Sequence, residues 1–120
     1  MPDVTFIDHR GKRILLMDIS DQHDPDASIA LGRRALEVIT AQPEGSLLLL
    51  TDVSGARFNT GATAFMKEYS SVITPYVHAS AIVGVGGIMK VILQSLIKIS
   101  GREIHVCDTR QEALDWLVQQ

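Results

Sequence analysis

Hydroxyl and carboxylate side chains occur together in one segment near the middle of the chain. This segment, TDVSGARFNTGA (residues 51–62), follows four consecutive leucines and leads into a helical pattern. In α/β proteins, the loop after a buried strand is a usual place for binding and catalytic groups. A hydroxyl in such a loop can accept a phosphate, and a carboxylate there can act as an acid or a base. The segment therefore predicts a regulatory site or the framework of one.

Each polar residue of this segment also has a structural explanation. Asn59 and Thr60 suit helix capping, because short polar side chains accept hydrogen bonds from free N–H groups at a helix start. Ser54 and Gly55 suit the turn that leaves the strand. Asp52 is a candidate active carboxylate, although an aspartate at a strand end more often accepts N–H bonds from the following loop.

The composition excludes several classes of function. A chain of 120 residues fits one domain (1–120), and its 46% hydrophobic share is enough for a globular core. The net charge of −3 and the 5% aromatic share lack the basic surface and the stacking rings of nucleic-acid binding. Cys107 is the single cysteine and no signal peptide precedes the first strand, so we expect a cytoplasmic protein.

Hydrophobic periodicity predicts the element order β-β-α-β-α-β-α-β-α. The predicted strands are Val4–Asp8, Arg13–Asp18, Ser46–Thr51, Ala79–Val85 and Ile104–Cys107. The predicted helices run from a cap at Asp26 to about Ala41, from about Thr60 to Ile73, over Ile88–Ser100, and onward from a capping box at Thr109–Glu112. A hairpin followed by strict alternation predicts a single α/β domain with a mixed, mostly parallel sheet covered by helices.

A glycine-rich turn follows the fourth predicted strand. Gly84, Gly86, Gly87 and Lys90 form a candidate anion or ligand site, because the start of a helix presents free N–H groups. The dinucleotide-binding fingerprint fails, since its third glycine would fall on Met89, and no Gly-Lys-Ser/Thr ending indicates a P-loop. The structural alternative is a tight strand-to-helix turn.

No cofactor, metal ion or catalytic centre is expected. The acidic run at residues 18–26 lacks the spacing of a calcium-binding EF-hand loop, and the four histidines lack the spacing of metal ligands. Nothing adjacent to Cys107 would lower the pKa of its thiol, so a buried, inert cysteine is expected. The sequence has no Gly-x-Ser-x-Gly nucleophile motif either.

The predicted helix Ile88–Ser100 is apolar around most of its circumference. Only Lys90, Gln94 and Lys98 form a polar stripe, so the apolar arc is wider than one face of a sheet requires. Three explanations stay open: burial beneath neighbouring helices, a subunit interface, and contact with an apolar ligand or a membrane surface. The candidate interface or ligand surface consists of Ile88, Met89, Ile92 and Leu96. The glycines and lysines of residues 79–100 argue against a membrane-spanning helix.

The element order and four motifs resemble a STAS domain, and more narrowly its SpoIIAA-like branch, also described as STAS/SEC14-like. The motifs are LTDVSGARF (50–58), PYVHASAIVGV (75–85), SGR (100–102) and EALDWL (112–117), and the similarity covers nearly the whole chain. The resemblance implies the fold of sulfate-transporter cytoplasmic domains and anti-sigma-factor antagonists. It implies regulation through protein contacts, with no cofactor.

The resemblance also bears on the phosphorylation switch of anti-sigma-factor antagonists. In those proteins a partner kinase phosphorylates a serine of an Asp-Ser-Ser-Gly-like stretch at this helix start. In the matching register, the acid and the two serines fall on Thr60, Gly61 and Ala62 of this chain. The acceptor position therefore holds alanine, and the flanking Thr60 and Thr63 are out of register. The resemblance implies a domain without the usual phosphoserine switch.

These observations lead to two hypotheses of different classes. The first is a non-catalytic cytoplasmic interaction or regulatory domain, acting as a homodimer, whose partner-docking loop comprises Asn59, Thr60, Gly61, Ala62 and Thr63. The alternative, drawn from the SEC14-like resemblance, is a small carrier or sensor that holds a lipid-like or other apolar ligand against the helix Ile88–Ser100. A response-regulator receiver domain is the rival fold, and the initial hairpin argues against it.

Overall fold

The fold is built on one five-stranded sheet with the strand order β1-β2-β3-β4-β5. The structure, a computed structural model, describes residues 3–86, 90–91, 93 and 104–120. The strands are β1 (Asp3–His9), β2 (Lys12–Asp18), β3 (Leu47–Asp52), β4 (Val77–Val83) and β5 (His105–Cys107). β1 and β2 are antiparallel and all other neighbours are parallel, which confirms the predicted mixed, mostly parallel sheet.

The helices alternate with the parallel strands. They are α1 (Pro25–Thr40), α2 (Thr60–Ile73), a 3-10 turn at Thr74–Tyr76, and α3 (Arg110–Leu117). The predicted helix Ile88–Ser100 lies largely outside the described residues, although Lys90, Val91 and Leu93 are helical. None of the helices within the described ranges is long and apolar enough to cross a membrane.

The β1–β2 hairpin forms where the sequence predicts it. Arg10 and Gly11 have φ angles of 49° and 79° and make a two-residue turn. Positive φ at both central positions is the type I′ geometry, whose twist matches that of the flanking strands. Seven residue pairs follow without a register shift, from His9 opposite Lys12 to Asp3 opposite Asp18.

The N-cap of α1 is a correction to the sequence prediction. Asp24, not Asp26, caps the helix: its Oδ1 accepts the backbone N–H of Asp26 at 3.0 Å. Pro25 occupies the first helical position, where its missing N–H costs nothing and its fixed φ favours the helix. Asp26 instead lies in the first turn, where its charge favours the helix dipole.

The boundaries of β4 also differ from the prediction. The strand spans Val77–Val83, two residues earlier than the predicted Ala79–Val85. It begins at Val77 because the 3-10 turn ends there and Val77 pairs with Leu47 across the sheet. It ends at Val83 because Gly84 leaves the extended conformation, with φ at 87°.

Two apolar layers cover the two faces of the sheet. One face is covered by α1 and α2, and Leu93 is buried with them. The core of this face consists of Leu15, Met17, Ile19, Leu31, Ala35, Ile39, Leu47, Leu49, Val53, Tyr69, Ile73, Ile82 and Leu93. The other face packs against α3, with Ile14, Leu16, Leu48, Leu50, Ala81, Val83, Cys107, Ala113 and Leu117 in its core. Alternation along β2 sends successive side chains to opposite layers.

The loops at the carboxyl end of the parallel strands are joined by backbone hydrogen bonds. Ser54 O accepts the N–H of Asp21 at 2.7 Å, and Gln22 O accepts the N–H of Arg57 at 2.9 Å. Gly84 lies against the same loop: a Cβ at Gly84 would come within 2.5 Å of both Cα and N of Ser54. The close approach of these two loops therefore requires glycine at position 84.

We expect Gly84→Ala to destabilise the protein by about 2–4 kcal/mol, because left-handed φ and collision with the Ser54 backbone both oppose the new Cβ. Gly45→Ala is the matched control. Gly45 also has a positive φ, 69°, but its Cβ would meet nothing within 4 Å, so we expect a loss of only about 1 kcal/mol. Urea denaturation of both variants measures the difference. Equal losses would contradict the close contact between Gly84 and Ser54.

Candidate functional site at the carboxyl end of the sheet

Two carboxylates and one guanidinium meet at the carboxyl ends of β2 and β3. Asp18 and Asp52 are the last residues of these strands and lie opposite each other in register. Arg110, the first residue of α3, reaches both of them. Its Nε lies 2.6 Å from Asp52 Oδ2, and its Nη2 lies 2.9 Å from Asp18 Oδ2. We refer to Asp18, Asp52 and Arg110 as the arginine bridge.

The remaining carboxylate oxygens bind the loops that follow each strand. Asp18 Oδ1 accepts the backbone N–H of Ser20 at 3.0 Å and its hydroxyl at 2.6 Å. Asp52 Oδ1 accepts the backbone N–H of Ser54 at 2.9 Å. Both carboxylates thus use one oxygen for their own loop and the other for Arg110.

The electrostatics of the arginine bridge keep all three groups charged. Burial raises the pKa of the Asp52 carboxyl, but hydrogen bonds from Ser54 and Arg110 outweigh burial and leave that pKa below its usual value. For Asp18, burial likewise opposes the bonds from Ser20 and Arg110, and its pKa is also lowered. The bond to Asp52, and then that to Asp18, raises the pKa of Arg110 despite partial burial. At neutral pH, an ionised carboxylate held in this way does not donate a proton.

Sequence reasoning selected Asp52 but missed its two partners. The structure places Asp52 as an acceptor of loop and side-chain donors, the structural alternative for a strand-end aspartate. Asp18 could have been found, since the carboxyl ends of adjacent parallel strands lie side by side. Arg110 is 58 residues from Asp52 and carries no local signal.

The candidate docking loop forms the start of α2. Asn59 caps this helix: its Oδ1 accepts the N–H of Ala62 at 2.8 Å, and its carbonyl accepts the N–H of Thr63 at 2.9 Å. Thr60 and Gly61 are exposed, and Thr63 is half-buried. Ala62, which the resemblance to anti-sigma-factor antagonists aligns with their phosphorylated serine, is only 1% exposed. The five residues are contiguous, but only part of the loop faces solvent.

The candidate anion site is only partly described. Gly84 packs against Ser54, as the tight-turn alternative requires. Gly86 is exposed, and its carbonyl accepts the N–H of Lys90 at 3.0 Å, so that N–H is used within the helix. Lys90 is exposed, and Gly87 lies outside the described residues.

The candidate apolar surface lies outside the described residues at all four of its positions, Ile88, Met89, Ile92 and Leu96. The described residues beside them differ sharply in exposure. Val91 is 64% exposed, whereas Leu93 is 4% exposed and joins the core beside α1 and α2. The helix therefore contributes at least one residue to the core of the domain.

Metal-binding and thiol chemistry have little support in the part of the chain that the structure describes. Those residues contain no group of three or more His, Cys, Asp and Glu side chains that could hold a metal ion. Cys107 is a buried free cysteine. Burial, followed by the nearby charges of Glu112 and Asp108, raises the pKa of its thiol, which opposes the formation of a reactive thiolate.

Comparison with known proteins assigns the fold. No protein-family model matches the sequence, and no curated protein matches it either. The chain has a SpoIIAA-like fold, because it superposes on a solved structure of that fold with a TM-score of 0.68. That structure is an uncharacterized protein of the DUF3478 family from Shewanella loihica PV-4. The two chains are 18% identical over 95% of this chain and 91% of the other. The predicted resemblance is thereby confirmed at the level of the fold.

Removal of Arg110 tests the arginine bridge through the pH dependence of stability. Because the pKa values of Asp18 and Asp52 are lowered in the folded state, these carboxylates contribute to the free energy of unfolding. That contribution is complete above the ordinary pKa of 3.8 and is lost as pH falls through the lower folded values. We expect Arg110→Ala to cost about 2 kcal/mol at pH 7, because it leaves two poorly solvated carboxylates side by side.

Without the guanidinium, the folded pKa values of the two carboxyls rise from their wild-type positions, because burial and mutual repulsion are then opposed only by the hydrogen bonds from Ser20 and Ser54. The variant then takes up protons before the wild type does, so its stability deficit relative to the wild type narrows as pH falls from 7 towards 3. Urea denaturation across this range measures the deficit. Arg10→Ala removes only the exposed contact with Asp115 and serves as the control. A deficit that stays constant with pH would contradict the bridge.

Proposed function

We propose that this chain is a non-catalytic protein-interaction domain that docks its partner through the start of α2, residues Asn59–Thr63, without phosphoserine control. The observation that carries the proposal is the contrast within this turn. Gly61 and Thr60 face solvent on a helix start fixed by the Asn59 cap, while Ala62 is buried and has no hydroxyl.

The burial of Ala62 supports the absence of a switch at the matching position. A kinase must reach its acceptor, and a side chain that is 1% exposed is inaccessible without opening the helix start. A phosphate at this position would also place a charge at a buried site, which is unfavourable without paired hydrogen-bond donors. A domain with this turn would bind its partner without waiting for dephosphorylation.

The arginine bridge supports a role other than catalysis. In α/β proteins, acids and bases at the carboxyl end of the sheet perform chemistry when they are free to exchange protons. Asp18 and Asp52 both have lowered pKa values and are bound on both oxygens. Their bonds fix the loops after β2 and β3, and the loop after β3 leads directly into the docking residues Asn59–Thr63. Because such a surface is preformed, binding costs less entropy.

The alternative function, a carrier or sensor for a lipid-like or other apolar ligand, stays a prediction. Its candidate surface at Ile88, Met89, Ile92 and Leu96 lies outside the described residues. A native mass spectrum separates the two functions. Added mass that is lost under denaturing conditions indicates a bound non-covalent ligand and would favour the carrier.

Gly61→Glu tests docking at the start of α2. We expect the variant to fold normally, because a Cβ at Gly61 would meet only Asn59 Oδ1, at 3.6 Å. A glutamate in the first turn also favours the helix dipole. A photo-cross-linking residue at Thr60 in cells of the source organism should capture a specific protein. Adding Gly61→Glu should reduce that product about tenfold or more, since a buried, unpaired charge costs several kcal/mol at an interface.

Ala30→Glu is the matched control for this experiment. Ala30 is exposed on α1, and a glutamate there adds the same charge four residues before Arg34, where the pair favours the helix. We expect this control to keep the cross-linked product. Equal products from the Gly61→Glu and Ala30→Glu proteins would refute docking at this turn, and loss of both would indicate a nonspecific charge effect.

A further inference from the structure

The strand β1 forms an open edge of the sheet. It lies at the end of the strand order, pairs with β2 over all seven of its residues, and meets no other strand among the described residues. The opposite edge strand, β5, has only three residues. β1 is therefore the longer of the two edges available for pairing with another chain.

The turn geometry identifies which backbone groups of β1 point outward. In a β-turn the flanking residues share a hydrogen bond, so His9 and Lys12 form a hydrogen-bonded pair. Pairing alternates along antiparallel strands. Thr5 and Ile7 therefore direct their N–H and C=O groups towards β2, whereas Val4, Phe6 and Asp8 direct theirs away from the sheet.

This edge lacks most of the features that usually prevent edge-to-edge pairing. Proteins protect such edges with proline, charged side chains (lysine above all), bulges or very short strands. The strand DVTFIDH contains no proline and no lysine, its register with β2 shows no bulge, and its ionisable residues, Asp3, Asp8 and His9, lie towards its two ends. Its central residue, Phe6, is held in place by the guanidinium of Arg13, 3.5 Å from the ring centroid. A regular strand of this kind leaves its outward N–H and C=O groups available for pairing with a partner strand.

We propose that β1 pairs with β1 of a second copy of this chain, antiparallel about a twofold axis through Phe6. The outward groups of Val4, Phe6 and Asp8 would then form about six backbone hydrogen bonds, joining two sheets into one continuous sheet. The interface is isologous, because both copies use the same strand. A contact from Thr5 of one copy to Ile7 of the other is therefore matched by the same contact in the opposite direction.

The side chains favour a second copy over an unrelated strand. The twofold pairing places Thr5 opposite Ile7 and Val4 opposite Asp8, while Asp3 and His9, which face each other at the ends, keep their bonds to Arg34 and Asp115 within each chain. It also places the two Phe6 rings opposite each other, and β-branched and aromatic cross-strand pairs stabilise antiparallel sheets. The centre of β1, Thr5–Ile7, can therefore pair favourably with the same three residues of a second copy.

Asp8→Pro tests this pairing with little change to the monomer. Asp8 is exposed and its N–H points outward, so proline removes an intermolecular donor while leaving the bonds to β2 in place. Asp8→Ala is the matched control because it removes the carboxylate and keeps the N–H. Two donors are lost per dimer, and we expect Asp8→Pro to weaken the dimer about tenfold or more. Asp8→Ala should stay dimeric.

Sedimentation velocity over a range of micromolar concentrations measures these equilibria, with thermal unfolding as a check on folding. Amide exchange of the wild type is the second measurement and needs no variant. We expect the N–H groups of Val4, Phe6 and Asp8 to become protected as protein concentration rises. A wild type that stays monomeric, an Asp8→Pro protein that stays fully dimeric, or a dimer in which these three amides exchange freely would each overturn the proposal.

Discussion

The contact between one arginine and two carboxylates is the constraint on which the rest of the structure depends. β2 and β3 end on Asp18 and Asp52, and parallel pairing places these carboxylates side by side. Two poorly solvated charges of like sign oppose folding unless a cation joins them. Arg110 supplies that cation from the first turn of α3. The same contact attaches α3 to the sheet and thereby helps to close the second apolar layer.

The arginine bridge also shapes the surface that is left for function. Its carboxylates accept hydrogen bonds from Ser20 and Ser54 and so fix the loops after β2 and β3. The backbones of these loops are hydrogen-bonded to each other, and Ser54 lies close to Gly84. The carboxyl end of the sheet, where α/β proteins commonly place their chemistry, is thus used for structural bonds. Exposed, preformed surface lies instead at the start of α2 and along the outer edge of β1. The two proposals use these separate surfaces and can fail independently.

Local patterns predicted much of the fold. The hairpin turn at Arg10-Gly11, the span Thr60–Ile73 and the Thr109 cap all depend on neighbouring residues, and the structure has each of them. The cap of α1 is Asp24 and not the predicted Asp26, because Pro25 occupies the first helical position and the cap precedes it by one residue. The limits of β4 depend on pairing with β3 and on Gly84, which hydropathy does not report.

The candidate site was predictable only in part, for a physical reason. Asp52 stood out because it ends a buried strand, but the role of that carboxylate depends on Arg110, which only the folded topology brings near. The resemblance to anti-sigma-factor antagonists, in contrast, already implied alanine at position 62 where those proteins carry the phosphorylated serine. Its burial beneath the Asn59 cap became visible only in the structure.

A double-mutant cycle between Arg110 and Asp52 is the most direct test of the central claim that the arginine bridge organises this end of the sheet. Arg110→Ala, Asp52→Ala and the double variant would be unfolded by urea at pH 7 beside the wild type. We expect a coupling free energy of about 1–3 kcal/mol, as for residues that share one hydrogen-bonded ion-pair network. Additive losses, with a coupling near zero, would contradict the claim.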